Sequence, residues 1–343
     1  MTNNSVLIVA NYKEGRGGIS GVVENHLTHL KKEGVEVGLF NTKTNPIKRL
    51  FLLFALLPKV HKCTVVHVHG CSYGGFYPII LTIVCAKIIS KKRTIVTYHG
   101  GGAGNFLRHW KSLVKFFLNK ADHVTVMSTF LQNVFSSYGV KTIIVRNIVD
   151  VKSDAIQQRD FSVPKIISTR SFYKIYNVPD IIKAFKLCEK EYPQSILQII
   201  GDGDQIVEIK NSIKGYNRIK YHGLVKQSKV YDLLSESNIF VSVPSIDNQP
   251  MSVLEAFSSG CIVIASNVGG VSDMIHDKVN GLLVEPNRPD QIFDTIKWII
   301  NNQKLAQDIC YAGFKELNRY SWESIRSILY ELYDFIALPF NHT

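Results

Sequence analysis

Apolar positions along the chain fall into two kinds of run. Short, nearly continuous ones recur in the first half at Ser5–Ala10, Val35–Phe40, Val65–His69, Ile95–Tyr98, His123–Met127 and Thr142–Arg146. In the second half they recur at Lys165–Thr169, Ser195–Ile200, Ile219–His222, Asn238–Val243 and Cys261–Ala265. Such runs predict strands covered on both faces, because a strand with one wet face would alternate. Between them lie stretches with helical spacing. In Val22–Lys32, Val23, Leu27 and Leu30 point inward, and Tyr77–Ile89, Val178–Glu191 and Ser252–Ser258 read the same way. Three helices, Asp290–Asn301, Lys304–Leu317 and Trp322–Phe335, finish the chain. Strands alternating with helices of these lengths imply α/β architecture with doubly wound parallel sheets. Val151–Pro164 is polar and patternless. It reads as a linker between a domain at 1–150 and another at 165–320.

A chain of 343 residues with 45% apolar content has room for two such cores. Met1–Ser5 is polar and Val6–Ala10 is short, so no signal peptide is expected. The longest apolar runs, Leu50–Leu57 and Tyr77–Ile89, fall short of the ~18 residues of a membrane span. The six cysteines are scattered and form no CxxC pair, which suits buried free thiols in a reducing cytoplasm.

Charge changes the picture more. Residues 1–150 hold 19 Lys and Arg against 6 Asp and Glu, a net +13, while the remainder nets −1. No acid occurs from Val37 to Ala121. Within that stretch Phe106–Lys120 places Phe106, Trp110, Leu113, Val114 and Phe117 on one helical face and Arg108, Lys111 and Lys115 on another. Asn45–Lys62 is an apolar segment with basic ends, equally compatible with a core helix and with a membrane-touching surface. The pattern points to an anionic partner. No nucleic-acid motif accompanies it, so an anionic membrane surface is the expected one.

Candidate chemistry concentrates in Val241–Glu285. A strand ends in the loop Pro244–Pro250, a helix follows and Gly260 closes it. A second strand then leads to Gly269–Gly270, which opens the next turn before a helix. Parallel sheets bind ligands at the carboxyl ends of their strands. Asp247 sits in that loop and Glu255 eight positions on. A carboxylate there can accept from two neighbouring sugar hydroxyls. Earlier, the loop Asn11–Gly21 carries Gly15, Gly17, Gly18 and Gly21 between a strand and a helix, where backbone N–H groups can approach a phosphate or sugar.

Pro244–Ser245, Asp247, Glu255–Ala256, Gly260 with Val263, Gly269–Gly270 and Asn280–Val284 together resemble the signature of the retaining family 4 glycosyltransferases. Asp247 stands where that family usually has Glu, and matches its Asp-Asn-x-Pro branch. The resemblance implies a GT-B fold: two Rossmann-like domains facing a cleft, with a C-terminal helix, about 321–343, crossing back to the first. Tyr320–Glu323 matches the family at that crossing, and Asn147–Asp150 matches the end of its first domain.

The resemblance also implies roles. Arg170 stabilises the leaving diphosphate, which a guanidinium can grip through two oxygens. Lys174 lies near the family's second cation, one position short. Glu255 holds the ribose and Asp247 the sugar. Met251, Ser252 and Val253 offer amides at a helix start. Thr97–Gly100 matches a Thr-x-His-Gly that sets His99 beside the sugar, and Gly17–Gly18 matches the family's Gly-Gly turn. No metal-ligand spacing occurs, since the histidines are dispersed and there is no Asp-x-Asp. A metal-independent transfer without cofactor is therefore expected. The donor would be a UDP- or GDP-type sugar. The acceptor would be a lipid-linked molecule or an oligosaccharide at the inner membrane face, in cell-surface polysaccharide or glycolipid synthesis. The alternatives are a nucleotide-sugar epimerase of the same architecture and a non-catalytic nucleotide-sugar binding protein.

Overall fold

The structure, a computed structural model, describes residues 4–14, 18–49, 51–150 and 158–335. The chain divides into two compact units, Met1–Asp150 with Arg319–Thr343, and Val151–Asn318. Positions 151–157 of the expected linker lie outside the described residues. Its remainder belongs to the second unit. Phe161 is fully buried there, and Asn238 Nδ2 donates to the carbonyls of Asp160 (2.7 Å) and Val163 (2.9 Å).

In the first unit the strands are β1 (Ser5–Ala10), β2 (Glu36–Asn41), β3 (Val65–Gly70), β4 (Arg93–Tyr98), β5 (His123–Val126) and β6 (Ile143–Ile144). All pair in parallel, in the order β2-β1-β3-β4-β5-β6. The predicted strand Thr142–Arg146 shrinks to two residues, as an edge position permits. Side-chain alternation splits the sheet into two faces. Leu7, Val9, Val66, Val68, Val96 and Tyr98 join one core, while Val6, Ile8, Ala10, Val65 and Ile95 join another with Val23 and Leu30 of the helix Ile19–Lys32. The C-terminal helix Trp322–Tyr333 packs on this second face through Trp322, Ile325 and Leu329. Arg326 Nη2 and Glu33 form a partly buried ion pair beside it at 2.8 Å.

The second unit holds β7 (Lys165–Ser168), β8 (Ile196–Ile200), β9 (Ile219–Gly223), β10 (Ile239–Ser242), β11 (Ile262–Ser266) and β12 (Leu282–Val284). Again all are parallel, in the order β12-β11-β10-β7-β8-β9. The chain runs outward from β7 to β9 and then returns to β10 on the other side of β7. That reversal is the switch point at which open parallel sheets bind ligands.

Two expectations need correction. The segment after Gly269–Gly270 is a single 3₁₀ turn, Gly269–Asp273, and not a helix. In the helix Ala103–Leu118 the core stripe is Leu107, Val114 and Leu118, with Phe106 buried against the Tyr73 and Phe76 rings. Trp110 (50% exposed) and Leu113 face solvent instead, because backbone torsions of −121° and 23° at Trp110 break the helical phase. The segment 45–62 divides as well. Leu56 and Val60 enter the core while Phe51 and Phe54 (70%) stay exposed. All six cysteines are free and five are buried. No helix among the described residues is long and apolar enough to cross a membrane.

Candidate active site

At the switch point β7 ends just before Arg170, and β10 leads into the loop that carries Asp247. Arg170 is buried. Its Nη2 donates to Asp247 Oδ2 at 2.6 Å and its Nη1 to Ser252 Oγ at 2.9 Å, and the guanidinium lies 4.2 Å from the Tyr176 ring centroid. The Nε–H is buried and has no hydrogen-bond partner among the described residues. The group is thus held on three sides with a donor still unused. The hydroxyls of Ser168, Thr169 and Ser242, at the ends of β7 and β10, are likewise buried without partners among the described residues. Small hydroxyls and a fixed cation at strand ends form a polar group suited to a phosphate-bearing ligand.

The loop Pro244–Pro250 looks polar in sequence, yet Asn248, Gln249 and Pro250 are buried. Asp247 Oδ1 accepts from the Asn248 N–H at 2.9 Å, so both its oxygens are engaged. The helix Met251–Ser258 starts after Pro250 without a side-chain cap, which leaves its N-terminal dipole toward this group. The Val253 N–H, expected as a ligand donor, instead bonds to the Pro250 carbonyl at 3.1 Å, and the Val253 side chain is fully buried. Met251 and Ser252 stand in the first turn as expected. Gly260 ends this helix at φ 72°, a left-handed conformation that glycine adopts without strain.

Glu255 is partly exposed and accepts from Gln227 Nε2 at 2.8 Å. Burial raises its pKa, opposed by the Gln227 hydrogen bond and by the charge of Arg170. Lys174 is exposed in the 3₁₀ turn Lys174–Tyr176 and makes no hydrogen bond to this group. In the place expected for a cation stand Tyr176, under the guanidinium, and Asn177 at φ 51°. Asn177 Nδ2 donates to Val243 O and Ser245 Oγ, both at 2.9 Å, and so staples this turn to the end of β10. In the sequence Tyr176 and Asn177 are seen only as standing near the place of the second cation, without a role, and Gln227 is not singled out. Only the asparagine, a residue suited to the left-handed region, left a local signal. Behind Arg170, a Cβ on Gly201 would lie 2.3 Å from the Arg170 carbonyl, so glycine is required for β8's loop to brace that backbone.

The remaining candidates belong to the first unit. Gly17 lies outside the described residues. Gly18 takes φ 67° and ψ −137° at the start of the helix Ile19–Lys32, with open space around it. His99 follows β4, and its Nε2 meets His69 Nδ1 at 2.9 Å. Burial holds His99 neutral, with its pKa lowered to about 3. The histidines are dispersed only in sequence: His26, His67 and His69 gather in one buried group beside it.

Comparison with known proteins agrees with this fold. A family model described as glycosyl transferases group 1 matches residues 152–316, and one described as glycosyltransferase family 4 matches residues 16–153. The chain is 26% identical over 252 residues to MJ1069, an uncharacterized glycosyltransferase of Methanocaldococcus jannaschii, covering 66% of this chain and 64% of that protein. It is 24% identical over 267 residues to the N-acetyl-alpha-D-glucosaminyl L-malate synthase of Bacillus anthracis, covering 71% and 67%. Among solved structures, Anabaena Alr3699/HepE in complex with UDP and glucose superimposes with a TM-score of 0.77 at 16% identity, over 96% of this chain and 98% of that one. Two parallel six-stranded sheets and the two models that together span residues 16–316 agree: the chain belongs to the glycosyltransferases of group 1 and family 4, with the GT-B fold.

Proposed function

We propose that the protein is a retaining glycosyltransferase. It moves a sugar from a UDP- or GDP-type nucleoside diphosphate sugar to a lipid-linked or oligosaccharide acceptor in cell-surface polysaccharide or glycolipid synthesis. The observation that carries this reading is the fixed, half-used guanidinium of Arg170 at a strand end, beside a helix N-terminus and the carboxylate of Glu255. As the sugar–phosphate bond breaks, negative charge grows on the departing diphosphate. Arg170 and the first turn of Met251–Ser258 would stabilise that charge without reorganising. Glu255 would accept from the ribose hydroxyls and Asp247, while bracing Arg170, from the sugar. The departing phosphate would assist the incoming hydroxyl on the same face of the sugar, so no protein nucleophile and no metal at the reacting centre is needed. The complexes with UDP and glucose known for Alr3699/HepE support a nucleotide-sugar donor.

Arg170→Met keeps the apolar stem on Tyr176 and removes the donors. It is expected to weaken UDP or GDP binding by calorimetry and to lower turnover. Unchanged nucleotide binding would place the diphosphate elsewhere. Release of free nucleoside diphosphate in step with a glycosylated product is the signature of transfer. Conversion of the donor sugar to its epimer would favour the epimerase reading, and binding without turnover the non-catalytic one.

The acceptor side of the reading rests on the first unit. On the helix Ala103–Leu118, Trp110, Leu113 and Phe116 (55%) are exposed alongside Arg108, Lys111 and Lys115. Phe51, Phe54, Tyr73, Ile88 and Ile89 of the same acid-free stretch are exposed too. Aromatic and basic side chains together suit the interface of an anionic bilayer. Each cation there contributes about 1 kcal/mol, within a Debye length of ~8 Å at physiological salt. The protein would then work peripherally at the cytoplasmic membrane face. Co-sedimentation with vesicles should rise steeply as anionic lipid replaces neutral lipid, and Lys111→Glu with Lys115→Glu should reduce it while folding is retained. Indifference to anionic vesicles at low salt, with efficient turnover of a soluble acceptor, would remove the membrane from this reading.

A further inference from the structure

We propose that His26, His67 and His69 form a binding site for one borderline transition-metal ion of the Zn²⁺ and Co²⁺ class, inside the first unit. β3 presents His67 and His69 on the sheet face that also carries Val65, and the helix Ile19–Lys32 lays His26 over them. Their exposures are 0%, 1% and 3%. Ring centroids lie 4.4 Å apart for His67 and His69, 5.2 Å for His26 and His69, and 5.6 Å for His26 and His67. One ring nitrogen from each falls within 4.8 Å of the others.

Two of the nitrogens point to a ligand. His26 Nδ1 and His69 Nε2 are buried with no hydrogen-bond partner among the described residues. Unpaired polar atoms in a core are costly and uncommon. His69 Nδ1 meets His99 Nε2 at 2.9 Å. When His69 donates there, its Nε2 becomes a bare lone pair turned to the interior, and His99 becomes the outer partner that metal-bound histidines usually have. His67 also has a route to coordination. Its Nδ1 contacts Tyr333 Oη at 2.7 Å and its Nε2 contacts Thr97 Oγ1 at 2.6 Å. Thr97 Oγ1 lies equally close to Thr125 Oγ1, at 2.6 Å. Its hydrogen can turn to Thr125 and leave Nε2 free as a ligand, with Tyr333 accepting from Nδ1.

Burial keeps these rings unprotonated, His26 with a pKa of about 4, so no proton competes for the lone pairs near neutral pH. Three imidazoles without a carboxylate suit zinc, cobalt, nickel or copper, and not magnesium or calcium, which take oxygen ligands. Metal–nitrogen bonds of about 2.0–2.1 Å require the rings to draw in, and a water or hydroxide would complete a tetrahedral set.

The test uses the full chain, stripped with chelator and titrated with Co²⁺ or Zn²⁺ alone. One Co²⁺ per chain should bind with the visible spectrum of tetrahedral nitrogen coordination, Zn²⁺ should displace it, and Tm should rise. Mg²⁺ and Ca²⁺ should do nothing. X-ray absorption of the Zn²⁺-loaded parent should show three imidazoles, a readout that needs no variant to fold. His26→Gln and His69→Gln should each abolish the stoichiometric site. Lack of stoichiometric binding, fewer than three imidazoles, or binding that survives both substitutions at exposed residues such as His61 or His109 would overturn the proposal. None of these readouts depends on sugar transfer, so failure here leaves the transferase reading untouched.

Discussion

Glu255→Gln is expected to lower turnover by orders of magnitude while leaving Tm nearly unchanged. Each charge-assisted hydrogen bond to a donor hydroxyl contributes about 1.5–3 kcal/mol, or roughly 10- to 100-fold per bond. Two ribose hydroxyls can share this one carboxylate. Stability should hardly change, because the side chain is partly exposed and the hydrogen bond it accepts from Gln227 Nε2 can be accepted as well by a glutamine oxygen. The carboxylate should also leave a mark on pH dependence. Burial raises its pKa, so activity that needs the ionised form falls on acidification before an ordinary exposed carboxylate would titrate. The residual activity of Glu255→Gln should lack that limb. Initial rates across pH, with circular dichroism to verify folding, decide the matter. A folded variant with near-parental turnover would sink the assignment.

What could be read in the sequence, and what could not, follows from how local each feature is. Strands such as Ser5–Ala10 and Val65–Gly70 are buried on both faces, so every position is constrained toward apolar residues and the run shows in one dimension. Arg170, Asp247 and Glu255 could be named in the sequence because they fall on motif positions of the family that the chain resembles, at a strand end, in a loop and on a short helix. The partners that hold them could not. Tyr176 lies beneath Arg170, and Gln227 reaches Glu255 from a helix 28 residues away in sequence. The shift of Trp110 to solvent depends on two torsion angles that periodicity does not encode. The histidine group is the clearest case. Two of its members alternate along β3 and look like isolated strand-end residues. Only the parallel pairing of β1 with β3 and the return of the intervening helix bring His26 over them.

That same group should make the first unit acid-labile. In the metal-free protein, burial lowers the pKa of His26 to about 4, that of His99 to about 3, and those of His67 and His69 well below the ordinary value, with neighbouring rings adding to each shift. Unfolded, each should titrate near 6.5. Above that pH neither state carries the protons, so stability is flat. Below it the unfolded chain takes up protons that the folded chain refuses, and stability drops until the folded pKa values are reached. His26, His67 and His69 each contribute to that fall, and their contributions act in the same direction. His99, with its pKa lowered to about 3, adds to the same fall. Acidification below about pH 6.5 should therefore destabilise the first unit progressively. Among the described residues the carboxylates whose pKa is lowered, Asp160 and Asp290, both belong to the second unit and titrate further down. Urea titrations from pH 8 to pH 4.5 with chelator present measure the slope, and hydrogen exchange locates it. His26→Gln should remove about one proton from the uptake. Stability that stays level from pH 7 to pH 5 would mean that these rings are already charged, or already wet, in the folded protein.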